Sequence, residues 1–207
     1  MTALTSKACA TLADVRSFNH AVAAQLGTAQ PLNWQRSAID HCRERLETAM
    51  CAMAEDVRPR QPPTHLHALF KQALVDCLAA NPALSPTIKA LSPLLAHADW
   101  MKREAAPGAD DHFVERHRHA LLLGPDQPIA CTSLLLGVAI LEPQVTYPFH
   151  RHPPEEFYLV LSPGRWYQEG LGWWQPGCGG VVHNPPGVRH AMASQAEPLL
   201  ALWGLLL

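Results

Sequence analysis

Residues 146–164 read TYPFHRHPPEEFYLVLSPG. His150 and His152 alternate on an extended segment, so their side chains leave the same face of a strand. Glu156 follows His152 by four residues, after a Pro-Pro pair that turns the chain without continuing a helix. The aromatic and branched run at 157–161 is typical of a buried strand. This stretch predicts two strands that present two imidazoles and one carboxylate on one side.

A second stretch, residues 179–194, reads GGVVHNPPGVRHAMAS. Its Pro-Pro-Gly at 185–187 marks a turn, and His190 follows the turn on another short strand. Three imidazoles and one carboxylate are a ligand set for a divalent first-row metal. The two stretches together predict a metal site inside a small β-barrel. The predicted ligands are His150, His152, Glu156 and His190.

The C-terminal half has the texture of a β-protein, with short apolar runs separated by Gly and Pro. Many short strands at this spacing favour an antiparallel sandwich or barrel. The last strand is almost wholly apolar, so we expect it to be central and covered on both sides. The predicted strands are 116–123, 131–141, 145–149, 156–161, 164–168, 171–175, 180–183, 189–193 and 199–206.

The N-terminal half differs, because its apolar residues recur at three- and four-residue spacings typical of helices. Proline-rich breaks separate these segments. The predicted helices are 8–26, 33–57, 64–80 and 86–97. The fold class expected is therefore mainly β with an α-helical N-terminal part. We expect a helical region at 1–108, followed by a β-barrel metal-binding domain at 109–207.

The composition limits which binding partners and which cellular compartment we expect for the protein. The net charge is −2, charged residues make up 16% and apolar residues 48%. Without a basic patch or tail, the sequence argues against nucleic acid or an anionic membrane as a partner. The first residues lack the apolar core of a secretory signal, and no run reaches the roughly 18 apolar residues that span a bilayer. The six cysteines include no C-x-x-C pair, which favours buried thiols in a reducing compartment. We expect a soluble, cytoplasmic protein.

Other histidines and acids are also possible metal ligands by residue type. A His-x-His pair at 65–67 falls at a predicted helix start, where side chains two apart diverge by about 200°. The pair at 117–119 can converge on a strand, but no acid follows it at the expected distance. Glu155 points away from the predicted metal site and is expected to face solvent. His183 either lines the pocket or caps a strand.

Two tyrosines stand close to the predicted ligands in the sequence. Tyr147 precedes His150 by three residues, and Tyr158 shares the strand face of Glu156. A divalent cation lowers the pKa of a nearby phenol, which can then act as a base or as a ligand. The alternative for each is a barrel aromatic whose hydroxyl is satisfied by a hydrogen bond.

These spacings resemble a known family. The pattern His-x-His-x3-Glu-x7-Gly at 150–164 resembles the first cupin motif, and Gly-x5-Pro-x-Gly-x2-His at 179–190 resembles the second. The chain departs from the family in two places. The usual Asn after the last His is replaced in the region of Ala193 and Ser194, and the first motif has one residue more between its Glu and Gly. The resemblance implies a cupin (double-stranded β-helix, or jelly-roll) barrel.

The string YPFHRHPPEEFYLVLS with HNPPGVRHAM and the apolar end is similar, more narrowly, to the cupin-type dimethylsulfoniopropionate (DMSP) lyases. This resemblance implies a carbon-sulfur lyase that releases dimethyl sulfide and acrylate from DMSP by β-elimination. It implies one divalent metal (zinc, iron, manganese, nickel or cobalt), Tyr147 as the base and Tyr158 on or near the metal. Side chains expected to contact the substrate are Phe149, Trp166, Trp173, Trp174 and His183. The helical part would form a lid or the surface of a homodimer.

Two other functions stay open at this stage. One is a different cupin metalloenzyme, such as a dioxygenase or an isomerase, which oxygen-dependent activity with iron would favour. The other is a non-catalytic cupin that binds a small ligand. Sensors of that kind often carry a DNA-binding module, and residues 1–100 contain no convincing basic recognition helix.

Overall fold

The structure is a computed structural model that describes residues 10–29, 35–54, 64–104 and 112–207. Its helices are α1 (Leu12–Thr28), α2 (Arg36–Thr48), α3 (Thr64–Ala80), α4 (Ser85–Leu95) and α5 (His112–Glu115). Its strands are β1 (Cys51–Met53), β2 (Asp99–Met101), β3 (His117–Leu123), β4 (Ile129–Cys131), β5 (Leu134–Leu141), β6 (Thr146–His150), β7 (Glu155–Val160), β8 (Arg165–Gln168), β9 (Gly172–Trp174), β10 (Val181–Asn184), β11 (His190–Ala193) and β12 (Leu199–Leu206).

The start of α1 is fixed by a capping box. The Thr11 hydroxyl accepts a hydrogen bond from the Asp14 N–H, and the Asp14 carboxylate accepts one from the Thr11 N–H at 2.8 Å. These bonds satisfy N–H groups that have no partner inside the helix, so α1 begins at Leu12 rather than near residue 8 as predicted. The first residues of that predicted helix lie outside the described ones.

The predicted helix 33–57 is wrong at its C-terminal end. Helix α2 ends at Thr48, and residues 51–53 form strand β1, which pairs antiparallel with β4 in the register Cys51↔Cys131. This pairing outweighs the apolar periodicity that suggested a longer helix, because propensity is a weak prior against tertiary contacts. Residues 33–34 and 55–57 of that prediction lie outside the described part. Helix α3 spans 64–80 as predicted, and α4 lies close to its prediction.

The β-part consists of two antiparallel sheets in the described chain, besides the β1–β4 pair. One sheet has the order β10-β7-β12-β5-β3-β2 and the other the order β6-β11-β8-β9. Strand β12 pairs with β5 over residues 199–206 and with β7 over residues 201–206, which confirms the prediction of a central final strand. The predicted strand 131–141 is divided into β4 and β5, and β2 was not predicted.

Strand alternation divides the core into two apolar clusters. On β7, Phe157 and Leu159 face outward and pack in one cluster with helical residues such as Phe18 and Leu26. Tyr158 and its inward neighbours pack in a second cluster inside the barrel. Fully burying one such apolar side chain contributes about 1.5–3 kcal/mol. The helices therefore cover the outer face of the six-stranded sheet, while its inner face lines the barrel.

The overall class, mainly β with an α-helical N-terminal part, is confirmed. Among the described helices, none combines the length and the apolar character that crossing a bilayer requires.

Candidate metal centre and its pocket

Strand β6 contains a β-bulge that brings two functional side chains together. His190 of β11 pairs with His150, and Met192 pairs with Tyr147, so Ala191 alone lies opposite two residues of β6. A bulge of this kind re-aims side chains along the bulged strand. Because of it, Tyr147 and His150 both face the barrel interior, and both line the same pocket.

The four predicted ligands lie together at one end of the barrel. One ring nitrogen from each of His150, His152 and His190 lies within 4.8 Å of the corresponding atoms of the other two. An oxygen of Glu156, Oε2, lies 3.5 Å from Nε2 of His152 and 3.1 Å from Nε2 of His190. His150 and His190 lie on β6 and β11 of one sheet, and Glu156 lies on β7 of the other. His152 lies in the connection between β6 and β7.

Backbone carbonyls fix the protonation of the three imidazoles. Each Nδ1 lies 2.9 Å from a main-chain oxygen: that of Pro148 for His150, of Pro154 for His152 and of Val188 for His190. A carbonyl only accepts hydrogen bonds, so each Nδ1 carries a proton, and in the neutral ring each Nε2 presents a lone pair. Metal-binding histidines are oriented by this type of hydrogen bond.

On the side opposite these carbonyls, the imidazoles of His152 and His190 turn their Nε2 atoms toward Glu156. Nε2 of His152 and Nε2 of His190 are buried and have no hydrogen-bond partner among the described residues. With Nδ1 protonated, the lone pair of His190 faces the Glu156 carboxylate at 3.1 Å. Two acceptors this close require a cation between or beside them, either a proton or a metal ion. Three imidazole nitrogens and one carboxylate oxygen therefore fit a divalent first-row metal.

Glu156 is held as a carboxylate by its neighbours. Burial alone would raise its pKa, but contacts with His152 and then His190 outweigh burial and hold the pKa well below its usual range. Asn184, which pairs with Glu156 across β10 and β7, donates a hydrogen bond from Nδ2 to Oε2 at 2.9 Å. Gln168 Nε2 in turn donates to Asn184 Oδ1 at 2.9 Å. Sequence reasoning missed this pair of amides.

The contact with Glu156 raises the pKa of His152, whereas burial keeps His150 and the two tyrosines neutral. Burial, with a smaller contribution from His190, lowers the pKa of His150 to about 4. Burial also raises the pKa of the Tyr147 phenol to about 12 and that of Tyr158 well above its usual value. In the protein without a bound cation, both phenols are therefore protonated at neutral pH.

These side chains line a small pocket. Both tyrosines line it, and so do three of the four predicted ligands, His150, His152 and Glu156. The fourth, His190, is buried and is not among the lining residues. The residues that line it are Arg103, His119, Tyr147, His150, His152, Glu156, Tyr158, Met192, Trp203 and Leu205.

The side chains predicted to contact substrate lie elsewhere. Phe149 and Trp173 lie on the outer face of the four-stranded sheet, with ring centroids 6.0 Å apart. The Arg189 guanidinium lies 4.3 Å from the Phe149 ring centroid, and that of Arg165 lies 4.9 Å from the Trp173 centroid. The bulge places Tyr147 and His150 inward, and Phe149 is 41% exposed as a result.

Trp166, Trp174 and His183 are also not among the residues that line the pocket. Trp166 is buried in the barrel interior, 6.2 Å from the Tyr158 ring, and Trp174 packs against the same cluster. His183 faces the helices, where its Nε2 lies 2.7 Å from Glu155 Oε1. The expectation that Glu155 faces solvent is therefore wrong, although it does point away from Glu156.

Five residues that line the pocket were not predicted to do so from the sequence. Trp203 and Leu205 share the inward face of β12, but the wholly apolar strand gave no sign of which face lines a pocket. Met192 lies two residues after His190 on β11, a spacing that places both on one face. His119 was weighed only as half of a ligand pair, and Arg103 follows a strand that was not predicted.

The two antiparallel sheets form a cupin barrel, and His-x-His, Glu and His converge inside it as a candidate metal site. The sequence profile of the dimethylsulfoniopropionate lyase family matches residues 34–201. The chain belongs to this family.

Individual relatives agree with this assignment. The chain is 35% identical over 96 residues to the dimethylsulfoniopropionate lyase DddQ of Ruegeria pomeroyi, which is 46% of this chain and 47% of that protein. The alignment thus spans about half the length of that curated relative. Among solved structures, a chain from the DMSP lyases RdDddP and RnDddQII superposes with a TM-score of 0.60 at 22% identity, covering 94% of this chain and 93% of that one. DddQ from Ruegeria pomeroyi superposes with a TM-score of 0.55 at 20% identity, covering 95% and 92%. At these identities the structures establish the fold.

Proposed function

We propose that the protein is a metal-dependent carbon-sulfur lyase that cleaves DMSP to dimethyl sulfide and acrylate. The observation that carries the proposal is the convergence of three oriented imidazoles and a carboxylate beside a pocket that Tyr147 lines. Membership of the DMSP lyase family supports the choice of substrate. His150, His152, Glu156 and His190 would hold the metal, and Tyr158, which lines the same pocket, would be a further ligand.

The reaction is a β-elimination. A base removes a proton from the carbon next to the carboxylate, the electron pair of that C–H bond becomes the C=C bond of acrylate, and the C–S bond breaks. Its electron pair leaves with sulfur as neutral dimethyl sulfide, so no general acid is needed. A divalent cation bound here supplies positive charge that stabilises the charge developing on the substrate carboxylate and lowers the pKa of nearby phenols.

Tyr147 is the base in this proposal. It is buried, it faces the pocket, and its ring centroid lies 5.0 Å from that of His150. Burial raises the pKa of Tyr147 to about 12, so the phenol needs nearby positive charge to act as a base at neutral pH. Its position beside the imidazoles is where that charge would be greatest.

The other side chains of the pocket would bind and shield the substrate. The sulfonium is a cation, and the ring faces of Trp203 and the tyrosines can stabilise it. Met192 and Leu205 add apolar surface that excludes water from the reacting carbons. We do not assign this role to Phe149 or Trp173, because both lie on the outer face of the four-stranded sheet.

Headspace dimethyl sulfide, measured over purified protein supplied with DMSP, tests the proposal. Wild type, Tyr147→Phe and His190→Ala would be compared, each with its metal content determined. Tyr147→Phe should keep its metal and lose roughly 10²–10⁴-fold in rate, as expected for loss of a general base. Tyr167→Phe is the matched control, since Tyr167 packs against Phe149 on the outer face. Absence of dimethyl sulfide from wild type loaded in turn with zinc, iron, manganese, nickel and cobalt would reject the proposal.

A further inference from the structure

His119 is a polar side chain that lines the pocket without a partner. It lies on β3, is 8% exposed, and neither ring nitrogen has a hydrogen-bond partner among the described residues. Its ring centroid lies 5.6 Å from those of both Tyr147 and Trp203. A buried polar group without a hydrogen bond destabilises the fold. The unsatisfied imidazole therefore points to a ligand that completes its hydrogen bonding.

The protonation state of His119 limits what it can offer. Burial, followed by the nearby His117 and Arg103, lowers the pKa of His119 to about 3. The imidazole is thus neutral at physiological pH and presents one N–H donor and one lone pair. Its ring nitrogens are not part of the group formed by His150, His152 and His190.

Arg103 lines the same pocket, and its backbone is held in place by His117. The Arg103 N–H donates to Nε2 of His117 at 2.9 Å, and Nδ1–H of His117 donates to the Phe113 carbonyl at 2.6 Å. The two members of the His-x-His pair on β3 thus differ, since His117 is satisfied by protein groups and His119 is not. The Arg103 side chain forms no ion pair with any residue in the described ranges.

The two charged side chains that line the pocket differ in whether they have partners. Among the described lining residues, Arg103 is the single permanent cation and Glu156 the single acid. The carboxylate of Glu156 is already engaged by Asn184 and by the histidines. Among the described residues the guanidinium of Arg103 has no such partner, so the pocket is complementary to a ligand that carries a negative charge.

We propose that Arg103 and His119 bind the carboxylate of the substrate and select a short-chain acid over uncharged analogues. Arg103 supplies the charge, and the N–H of His119 donates a hydrogen bond. A carboxylate has two oxygens with about four lone-pair sites, so these contacts are compatible with a cation held by the neighbouring histidines. For DMSP as the acid, this inference rests on the proposed function.

Binding of propionate and of its uncharged analogue propionamide to metal-loaded protein, measured by calorimetry, tests the inference. Wild type should prefer propionate. Arg103→Gln should raise the propionate Kd by about tenfold, as expected for loss of a charged hydrogen bond, and leave the propionamide Kd nearly unchanged. The KM for DMSP should rise by a similar factor, with a smaller change in kcat.

Two histidine variants test the second contact. His119→Phe removes the donor and should weaken propionate binding, whereas His119→Gln keeps an N–H and should retain more of it. Melting curves and metal content of both variants establish that the site is intact, and Arg103, being exposed, can be replaced without disturbing the core. Arg165→Gln is the matched control, because Arg165 lies over Trp173 on the outer face.

The outcomes separate this inference from the proposed function. Unchanged propionate affinity in folded, metal-loaded Arg103→Gln and His119→Phe overturns the inference, even where dimethyl sulfide is released. Arg103-dependent propionate binding without dimethyl sulfide release overturns the DMSP activity and leaves the carboxylate site standing for another acid. Failure of wild type to bind propionate at all overturns the inference directly.

Discussion

Tyr147 and His150 face the same side of β6 although they are three positions apart, and strict strand alternation would set them on opposite sides. The bulge at residues 148–149 reconciles the two. It also turns Phe149 outward, where alternation from Tyr147 would have placed it in the barrel. One inserted residue thus decides which aromatic side chain accompanies the imidazoles.

Removing one imidazole should remove the metal. We expect His190→Ala to lose most of its bound divalent ion, because the three remaining donors no longer enclose the cation. Elemental analysis after dialysis measures this loss. Wild type should also gain thermal stability when metal is added, by about 2.7 kcal/mol at a free concentration one hundred times the Kd.

His20→Ala is the control for that experiment, because His20 is an exposed residue of α1. It should keep both the metal and the stabilisation. Equal metal content in His190→Ala and wild type would contradict the assignment of His190 as a ligand.

Asn184 should tune the affinity of the site without binding the metal. Its Nδ2 donates to Glu156 at 2.9 Å, and a partner that orients a ligand in this way typically contributes 10–100-fold in metal affinity. We expect Asn184→Ala to weaken metal binding by about that factor, measured by competition with a chromophoric chelator. Asn81→Ala, whose amide bonds to the Cys178 carbonyl instead, should bind metal as wild type does.

The stability of the metal-free protein should fall between pH 6.5 and 4.5, in part because of His119. The folded-state pKa of His119 is lowered to about 3, below its unfolded value near 6.5. Within this window the unfolded chain binds a proton that the folded chain does not, so stability decreases as pH falls.

His119→Gln removes this titration. Its free energy of unfolding should decrease less over the same window, by up to about 2 kcal/mol, as measured by urea unfolding at each pH. Parallel pH profiles for wild type and His119→Gln would contradict the assignment of a neutral, buried imidazole.

Helices and barrel should unfold together. Phe157 of β7 is 1% exposed and packs in the cluster that contains Phe18 and Leu26 of α1. We expect Phe157→Ala to lower the free energy of unfolding by about 3–5 kcal/mol, with far-UV circular dichroism and tryptophan fluorescence reporting one transition. Phe149→Ala, at an exposed position, should cost about 1 kcal/mol or less, and two separate transitions in the Phe157 variant would contradict a shared core.

The sequence predicted the parts of the structure that depend on local pattern. Alternation placed Tyr158 beside Glu156, and the two motifs brought His190 to the His-x-His pair. Those predictions depend on residue spacing within one or two strands, which can be read directly from the sequence.

What the sequence could not predict depends on partners distant in the chain. Strand β1 forms because Cys51 meets Cys131, and no local feature of an apolar segment reveals that pairing. Phe149 was predicted to contact the substrate, but the bulge turns its side chain to the outer face of the sheet. Arg103 reaches the pocket through its backbone bond to His117, fourteen residues later in the chain.

The three imidazoles are anchored to main-chain oxygens no more than two residues away, at Pro148, Pro154 and Val188. An anchor made of backbone cannot be deleted by replacing a side chain, so single substitutions at these three positions leave an acceptor in place. The orientation of the histidines is therefore robust to mutation in a way that the contacts of Asn184 or Arg103 are not. Sequences descended from this one can accumulate many substitutions around the site and still keep the three imidazoles in the same orientation. The reaction that those imidazoles support can change in the process.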